Sequence, residues 1–251
     1  MSIYAQNIKS AYVKSGEAAI FYMGQAGFII KTDEQKYIAL DLYLSDCCNR
    51  YFGFKRLSPY IIEAHDIEFD YILASHSHYD HFDVDSVPLM MSKKTEFIGA
   101  FDTTAECERL GITKNIRFIK CGDTVLLGNN VNVKAVECDH GTLAPDAVGF
   151  LITIGEKKIY YMGDTAYRED FLKNAELKNV DLLLAPINGE FGNMNSSEAA
   201  QAAKTIGAKL TVPYHFWTFA EHGGNPHEFK KIMEEEKLNF MLLRMGECIV
   251  I

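Results

Sequence analysis

Four ionisable side chains fall within the six residues His76-Ser77-His78-Tyr79-Asp80-His81, directly after the apolar run Tyr71-Ile72-Leu73-Ala74. Neutral imidazole and carboxylate are the usual nitrogen and oxygen donors for zinc and its neighbours, so the segment reads as built to hold metal. A merely solvated turn would favour Gly, Asn, Asp and Pro over this spacing. If the chain stays extended through His76 and His78, the period-2 alternation of a strand sends both imidazoles to one side, where they can grip one ion. Asp80 and His81 follow where the chain must turn, and being adjacent they cannot easily reach the same point. That suggests a second ion about 3.5–4 Å away, the spacing usual in two-metal hydrolases.

Two ions need more donors than one segment supplies, and strand-like runs elsewhere end on them. Val131–Val136 runs into Cys138-Asp139-His140-Gly141, Lys158–Met162 into Gly163-Asp164-Thr165, and Leu210–Tyr214 into His215. Donors at strand ends are held by the sheet and face the loops, where a rigid scaffold usually presents chemistry. Two cations sharing one water would bring its pKa down toward about 7, and the hydroxide would attack a carbonyl carbon or a phosphorus atom. One ion would take the developing oxyanion, and no serine or cysteine nucleophile is required.

The ordered set His76-x-His78-x-Asp80-His81, His140, Asp164 and His215 resembles the pattern of the metallo-β-lactamase superfamily. The resemblance implies that His76, His78 and His140 bind one metal, that Asp80, His81 and His215 bind the other, and that Asp164 bridges them. Further likeness is to the branch containing the ascorbate 6-phosphate lactonases and related metal-dependent hydrolases. It is carried by Met23-Gly24-Gln25-Ala26-Gly27-Phe28, Ile187-Asn188-Gly189, Gly192-Asn193-Met194, Glu198-Ala199-Ala200, Pro213-Tyr214-His215-Phe216 and Phe219–Pro226. The superfamily also carries an acid at the strand end occupied by Asp41, which marks Asp41 as the group orienting a metal-bound imidazole, with Ser75 and Thr165 in similar work. Asp80 is counted among the catalytic residues. His222, on the glycine-flanked loop Glu221-His222-Gly223-Gly224, is a candidate proton donor to the leaving alkoxide. Asn188 and Asn193 are candidates for hydrogen bonds to a sugar-like substrate. Zinc, manganese and iron all suit this donor set.

The elements that must position these residues begin as strands and continue mixed. Runs of strand length occur at Ala18–Phe21, Gly27–Lys31, Tyr37–Leu40, Tyr71–Ser75, Glu96–Gly99, Arg117–Ile119, Thr124–Leu127, Val131–Val136, Val148–Thr153 and Lys158–Met162. Gly128-Asn129-Asn130 and Gly155-Glu156-Lys157 read as hairpin turns. Helical stretches fall around Thr103–Leu110, Arg168–Ala175, Ser196–Ile206 and Pro226–Glu235, with Asn195 and Glu198 forming a capping box for the third. These elements suggest an α/β layered fold, two mixed sheets packed face to face with helices outside, and the resemblance implies the same αββα sandwich. Asp46–His65, the longest stretch without periodicity, reads as a loop over the site.

Length and composition fit one domain over residues 1–251, since 48% hydrophobic residues can bury a substantial core. The net charge of −9 disfavours a nucleic-acid backbone as the main partner. Six cysteines without a Cys-x-x-Cys pair suit a reducing compartment, and with no apolar span or basic leader the expectation is a cytoplasmic protein without membrane contact. Cys138, two residues before His140, is read as a buried thiol rather than a ligand. The expected function is hydrolysis of a small ester or lactone, with a phosphorylated sugar lactone such as ascorbate 6-phosphate lactone as one form. A phosphodiesterase or nuclease is the alternative; it would need a basic stripe or an added nucleic-acid-binding domain, and neither is evident. A di-iron redox protein would place Glu where His78 stands and add a flavin domain. A small molecule is the expected partner, and the lactonase resemblance makes a homo-oligomer plausible.

Overall fold

The computed structural model describes residues 1–251. The first half of the chain builds one mixed sheet from β1 (Ala18–Gly24), β2 (Gly27–Thr32), β3 (Tyr37–Leu40), β4 (Tyr71–Ala74), β5 (Glu96–Ala100) and β6 (Ile116–Ile119). The second half builds another from β7 (Thr124–Leu127), β8 (Val131–Val136), β9 (Gly149–Ile154), β10 (Lys157–Tyr161), β11 (Leu182–Pro186) and β12 (Thr211–Tyr214), and β13 (Cys248–Val250) returns to pair with β1. The sheet orders are β13-β1-β2-β3-β4-β5-β6 and β12-β11-β10-β9-β8-β7. Each half starts with antiparallel neighbours and finishes with parallel ones: β3 to β6 in the first sheet and β10 to β12 in the second.

Period-2 alternation decides which side chains meet between the sheets. From β1, Ala18, Ile20 and Tyr22 point inward to a core shared with Phe28, Ile30, Phe150, Ile152, Tyr161 and Leu184. Ala19, Phe21 and Met23 point outward into a second core beneath α1 (Ile3–Ser10), α2 (Cys47–Phe52), α3 (Val87–Met90) and α4 (Thr104–Arg109). Tyr160, Leu183 and Ala185 form a third core, covered by α5 (Glu169–Leu172), α6 (Ser196–Ile206) and α7 (Pro226–Glu235). The layers are therefore helix, sheet, sheet, helix, the sandwich expected above. No helix is long and apolar enough to cross a membrane.

Most differences from the sequence reading are boundary shifts of a residue or three. Larger ones have identifiable causes. Strand β11 escaped because Leu182-Leu183-Leu184-Ala185 is buried on both faces, so it shows no alternation and cannot be told from a helix by period. The stretch Asp46–His65 is not all loop: it opens with α2, stopped by Gly53 at φ 78°. Asn195 Oδ1 accepts from the amides of Ser197 and Glu198, and Glu198 Oε2 accepts from the amide of Asn195, closing the capping box at the start of α6.

Candidate metal centre

The β4 ladder ends at Ala74, and the chain does not continue extended through His76 and His78 as the alternation argument supposed. It bends at Ser75 and closes a turn in which the amides of His81 and Phe82 both donate to the His78 carbonyl, at 2.9 and 2.7 Å. The bend over Ser75–His78 brings the two imidazoles together: His76 Nε2 lies 3.0 Å from His78 Nδ1. His140, carried beyond β8, brings Nε2 to 3.2 Å from the same His78 atom. Three ring nitrogens thus converge on one point.

A second set lies alongside. His81 Nε2 is 3.2 Å from Asp164 Oδ1 and 3.7 Å from Asp80 Oδ2. His215 Nε2 is 3.2 Å from Asp164 Oδ2 and 3.3 Å from Asp80 Oδ2. Asp164 follows β10 after Gly163, whose φ of 69° and 2.9 Å approach of a Cβ position to the Val148 carbonyl admit only glycine. Its carboxylate reaches toward the first set as well, 3.9 Å from His140 Nε2. Asp41 and His215 also sit at positive φ, 45° and 63°, immediately after β3 and β12. Such strain persists where surrounding structure over-determines it, and it clusters at functional sites.

Both sets fit divalent cations on observations of this chain. Tetrahedral ligands at about 2.0–2.1 Å from zinc stand roughly 3.3 Å from each other, which matches the 3.0–3.2 Å and 3.2–3.7 Å separations found here. His81 Nε2 and Asp164 Oδ1 are buried and have no hydrogen-bond partner, an unmet polar demand that a bound ion would satisfy. His76, His78 and His140 also group as one candidate ligand set, and His81, Asp164 and His215 as another.

Electrostatics separate the two sets. Burial pushes the imidazoles of His76 and His140 down, His140 to about 4, so both are neutral donors at pH 7. Burial pulls the same way on His81 and His215, but the carboxylates of Asp164 and Asp80 outweigh it. They carry His81 well above the usual histidine range and His215 up to about 9. Burial in turn would raise Asp80 and Asp164, yet the facing imidazoles hold both well below the usual carboxylate range.

Asp41 stands behind these ligands. Its Oδ2 accepts from His81 Nδ1 at 2.7 Å, Ser75 Oγ at 2.5 Å and Tyr161 Oη at 2.7 Å, while Oδ1 accepts from the Ser75 amide. Ser75 Oγ also lies 3.0 Å from His76 Nδ1, so one carboxylate fixes ring orientation in both sets. Thr165 does not touch a ligand ring; its hydroxyl accepts from the Asp139 amide and tethers the loop before His140. Cys138 donates its thiol to the Asp164 carbonyl at 3.0 Å and stays outside both donor sets.

Two candidate substrate contacts need correction. Asn193 Nδ2 donates to Asp164 Oδ2 at 2.7 Å, so its polar end is spent on a ligand rather than presented to a substrate. Asn188 is buried and donates to the Glu190 carbonyl, and neither asparagine lines the cavity above the metal centre. The amide of Asn188 closes its own turn, as turn-forming asparagines commonly do.

His222 is buried and lines that cavity, its ring stacked on His215 with centroids 5.1 Å apart. Burial and the nearby imidazoles push it down to about 4, so at neutral pH it offers a hydrogen bond rather than an imidazolium proton. The residue that sequence reasoning missed is Gln25. It sits in the turn between β1 and β2 with φ 51°, and its Nε2 is 2.8 Å from Asp80 Oδ2, 3.1 Å from His215 Nε2 and 3.0 Å from His222 Nδ1. The signal was a lone amide in a hairpin whose strands are otherwise fully buried.

The cavity over the two sets has a volume of about 380 Å³ and is walled by α2, the segment after it and the loops carrying Leu143 and Phe191. Comparison with known proteins identifies the family. Residues 42–216 match the family described as the beta-lactamase superfamily domain. A UPF0173 metal-dependent hydrolase of Pyrobaculum islandicum is 28% identical over 233 residues, covering 92% of this chain and 98% of that protein. A UPF0173 protein of Pyrococcus abyssi is 32% identical over 220 residues, covering 87% and 92%. Among solved structures, the isothiocyanate hydrolase from Delia radicum gut bacteria superposes with a TM-score of 0.77 at 17% identity over 92% of this chain and 98% of that one. The metallo-beta-lactamase fold protein YhfI from Bacillus subtilis gives 0.72 at 18% identity over 93% and 99%. At these identities the two structures speak for the fold alone.

Proposed function

This chain belongs to the beta-lactamase superfamily and is one of its metal-dependent hydrolases, and from that premise we propose that the bond it cleaves is a carboxylic ester, open-chain or closed as a lactone. The observation that carries the reading is the placement of the donors: His78, Asp80, His140, Asp164 and His215 all face the floor of one cavity large enough for a small molecule. His76, His78 and His140 would hold one ion and Asp80, His81 and His215 the other, with Asp164 between them. Bound there, divalent ions supply Lewis acidity and a hydroxide nucleophile at neutral pH.

The protein's own groups do the positioning. Asp41, directly for His81 and through Ser75 for His76, keeps both rings from rotating, while Tyr161 donates to the Asp41 carboxylate and fixes it in turn. Asn193 holds one oxygen of Asp164 so that the other faces His81. Gln25 donates to Asp80 and to His222 Nδ1, which leaves His222 Nε2–H as the free donor. That N–H can stabilise the departing alkoxide while water supplies its proton. The acyl carbon gains a hydroxyl, its C–O bond to the alkoxide breaks, and the products are an acid and an alcohol, or one hydroxy acid from a lactone.

The alternative of a phosphodiesterase or nuclease finds no support in the walls of the cavity, which contain no lysine or arginine. Purified protein loaded separately with zinc, manganese and iron is to be assayed on carboxylic esters, lactones and phosphodiesters. Metal-dependent turnover of esters or lactones is expected. Turnover confined to phosphodiesters would overturn the reading.

A further inference from the structure

The walls of the cavity carry chemistry that the hydrolytic reading does not use. Above the donors they are formed by Cys48, Phe52, Phe54, Tyr79, Leu143 and Phe191. The rings make a continuous surface: Phe52 lies 5.4 Å from Tyr79 and 6.2 Å from Phe54, and Phe54 lies 6.1 Å from Phe191 between centroids. Phe54 and Phe191 each present an edge to His222 at 5.2 Å, so the apolar surface reaches down to the reacting end. Phe191 holds its place with a φ of 54°, a backbone conformation glycine favours and a bulky residue rarely adopts. Phe52, Leu143 and Phe191 remain about half exposed, an apolar rim at the mouth.

The polar groups of the wall are already engaged. Ser77 Oγ donates to Asp102 at 3.0 Å, and Glu106 accepts from the Arg109 guanidinium. No lysine or arginine lines the cavity, so a phosphate carried away from the reacting carbonyl would meet aromatic faces and a carboxylate. Anion sites elsewhere in proteins rely on arginine forks, lysines or backbone amides at helix N-termini.

Resting on the ester or lactone reading, we infer that the substrate is a neutral molecule whose non-reacting part is an alkyl or aryl group held against Phe52, Phe54, Tyr79, Leu143 and Phe191. The reacting carbonyl is its one polar end, and the substrate carries no phosphate. This departs from the phosphorylated sugar lactone that the lactonase resemblance implies.

The test uses the metal-loaded protein and a matched series of lactones and esters with alkyl tails of increasing length, a phenyl tail and a phosphorylated tail. Burying one more methylene is worth ~0.8 kcal/mol, so kcat/KM is expected to rise about fourfold per methylene until the cavity is full. The phosphorylated member is expected to fall at least about a hundredfold below the apolar one of similar size. Phe191→Ala and Phe52→Ala should each flatten the chain-length slope while metal content stays at the wild-type value. In a binding arm independent of turnover, hydroxamates with the same tails are titrated calorimetrically and should follow the same order.

A flat or inverted slope, or preference for the phosphorylated tail, overturns the inference while leaving the hydrolase reading standing. Absence of turnover on every ester and lactone overturns that reading instead, and the hydroxamate series then decides the wall chemistry by itself. A flat slope joined to a loss of self-association in Phe191→Ala would mean that the rim is covered by a second copy of this chain, and would also overturn it.

Discussion

His76, His78 and His140 turn their ring nitrogens toward one another, and the closest carboxylate, Asp164, stands 3.9 Å from His140. Beside them, the Nε2 atoms of His81 and His215 each have the carboxylates of Asp80 and Asp164 within 3.2–3.7 Å. In the first set, burial strips protons from His76 and His140 and leaves their lone pairs waiting. In the second, opposite charges satisfy each other and protons occupy the place of a cation. A ligand set built from nitrogens alone is thus preorganised for metal, whereas a mixed set is neutralised internally and an ion must displace protons to enter. The two halves of one centre should differ in affinity and in pH dependence.

The comparison breaks most severely at the residue both halves share. Asp164→Ala is expected to lower turnover at least about a thousandfold and to remove metal from both sets. It also leaves His81 and His215 as buried cations with one partner fewer, so ion-free Asp164→Ala should lose stability on the order of 3–5 kcal/mol. Asp164→Asn keeps the volume and serves as the folding control by circular dichroism. His78→Ala touches only the first set; elemental analysis should find that ion missing and turnover abolished, with the fold retained. Full activity in either Asp164→Ala or His78→Ala would contradict the assignment.

Titration sharpens the contrast, because the two sets shift in opposite directions. His215, raised to about 9, stabilises the ion-free fold fully below its unfolded value near 6.5, and that contribution is lost as pH rises from there through about 9. His140, lowered to about 4, is neutral in the fold but takes a proton when unfolded, so stability is lost as pH falls from about 6.5 toward 4. From these two groups the melting temperature of ion-free protein should peak near pH 6.5. Affinity for the first ion should be nearly level above that pH. Affinity for the second should climb about tenfold per pH unit for each proton displaced, with the His215 contribution levelling off above about pH 9. Calorimetry in buffers of different ionisation enthalpy counts those protons; none released with the second ion would erase the distinction.

Asp41→Asn probes what the halves have in common at their backs. An amide cannot accept from His81, Ser75 and Tyr161 together, so ring orientation in both sets loosens. Loss of such an outer partner typically costs 10–100-fold in metal affinity or activity. Equal losses for both ions are expected by isothermal titration. A loss confined to the second would mean that the Ser75 relay to His76 carries no orienting force.

Donor identity was legible in the sequence because it is a matter of type and order, and folding to a sandwich brings strand ends to one rim. What escaped was conformation and company. His76 and His78 meet across a bend rather than along a strand, because the chain leaves the β4 ladder at Ala74 before either is reached. Asn193 carries the same amide whether it faces a sugar or Asp164, and only tertiary packing separates the two. Strand β11, apolar on both faces, had no period to read. The aromatic walls come from α2, the residues after it and two distant loops, so no local pattern announced them.

Gln25 offers the smallest and most selective perturbation. Its amide touches Asp80, His215 and His222 and no member of the first set, so Gln25→Ala should leave the first ion's affinity unchanged and weaken the second by about tenfold. The loss follows from Asp80, which without a donor at 2.8 Å can rotate away from His215, and from His222, whose Nδ1 loses the partner that fixes its tautomer. Gln25 Oε1 is buried without a partner, so the side chain gains from its nitrogen end alone. Tighter binding of the second ion in Gln25→Ala would reverse the reading, because it would mean that the amide sits where the ion belongs and must be expelled. Metal titration of the two proteins at one pH separates the cases, and in both the first set, untouched by Gln25, is the internal reference.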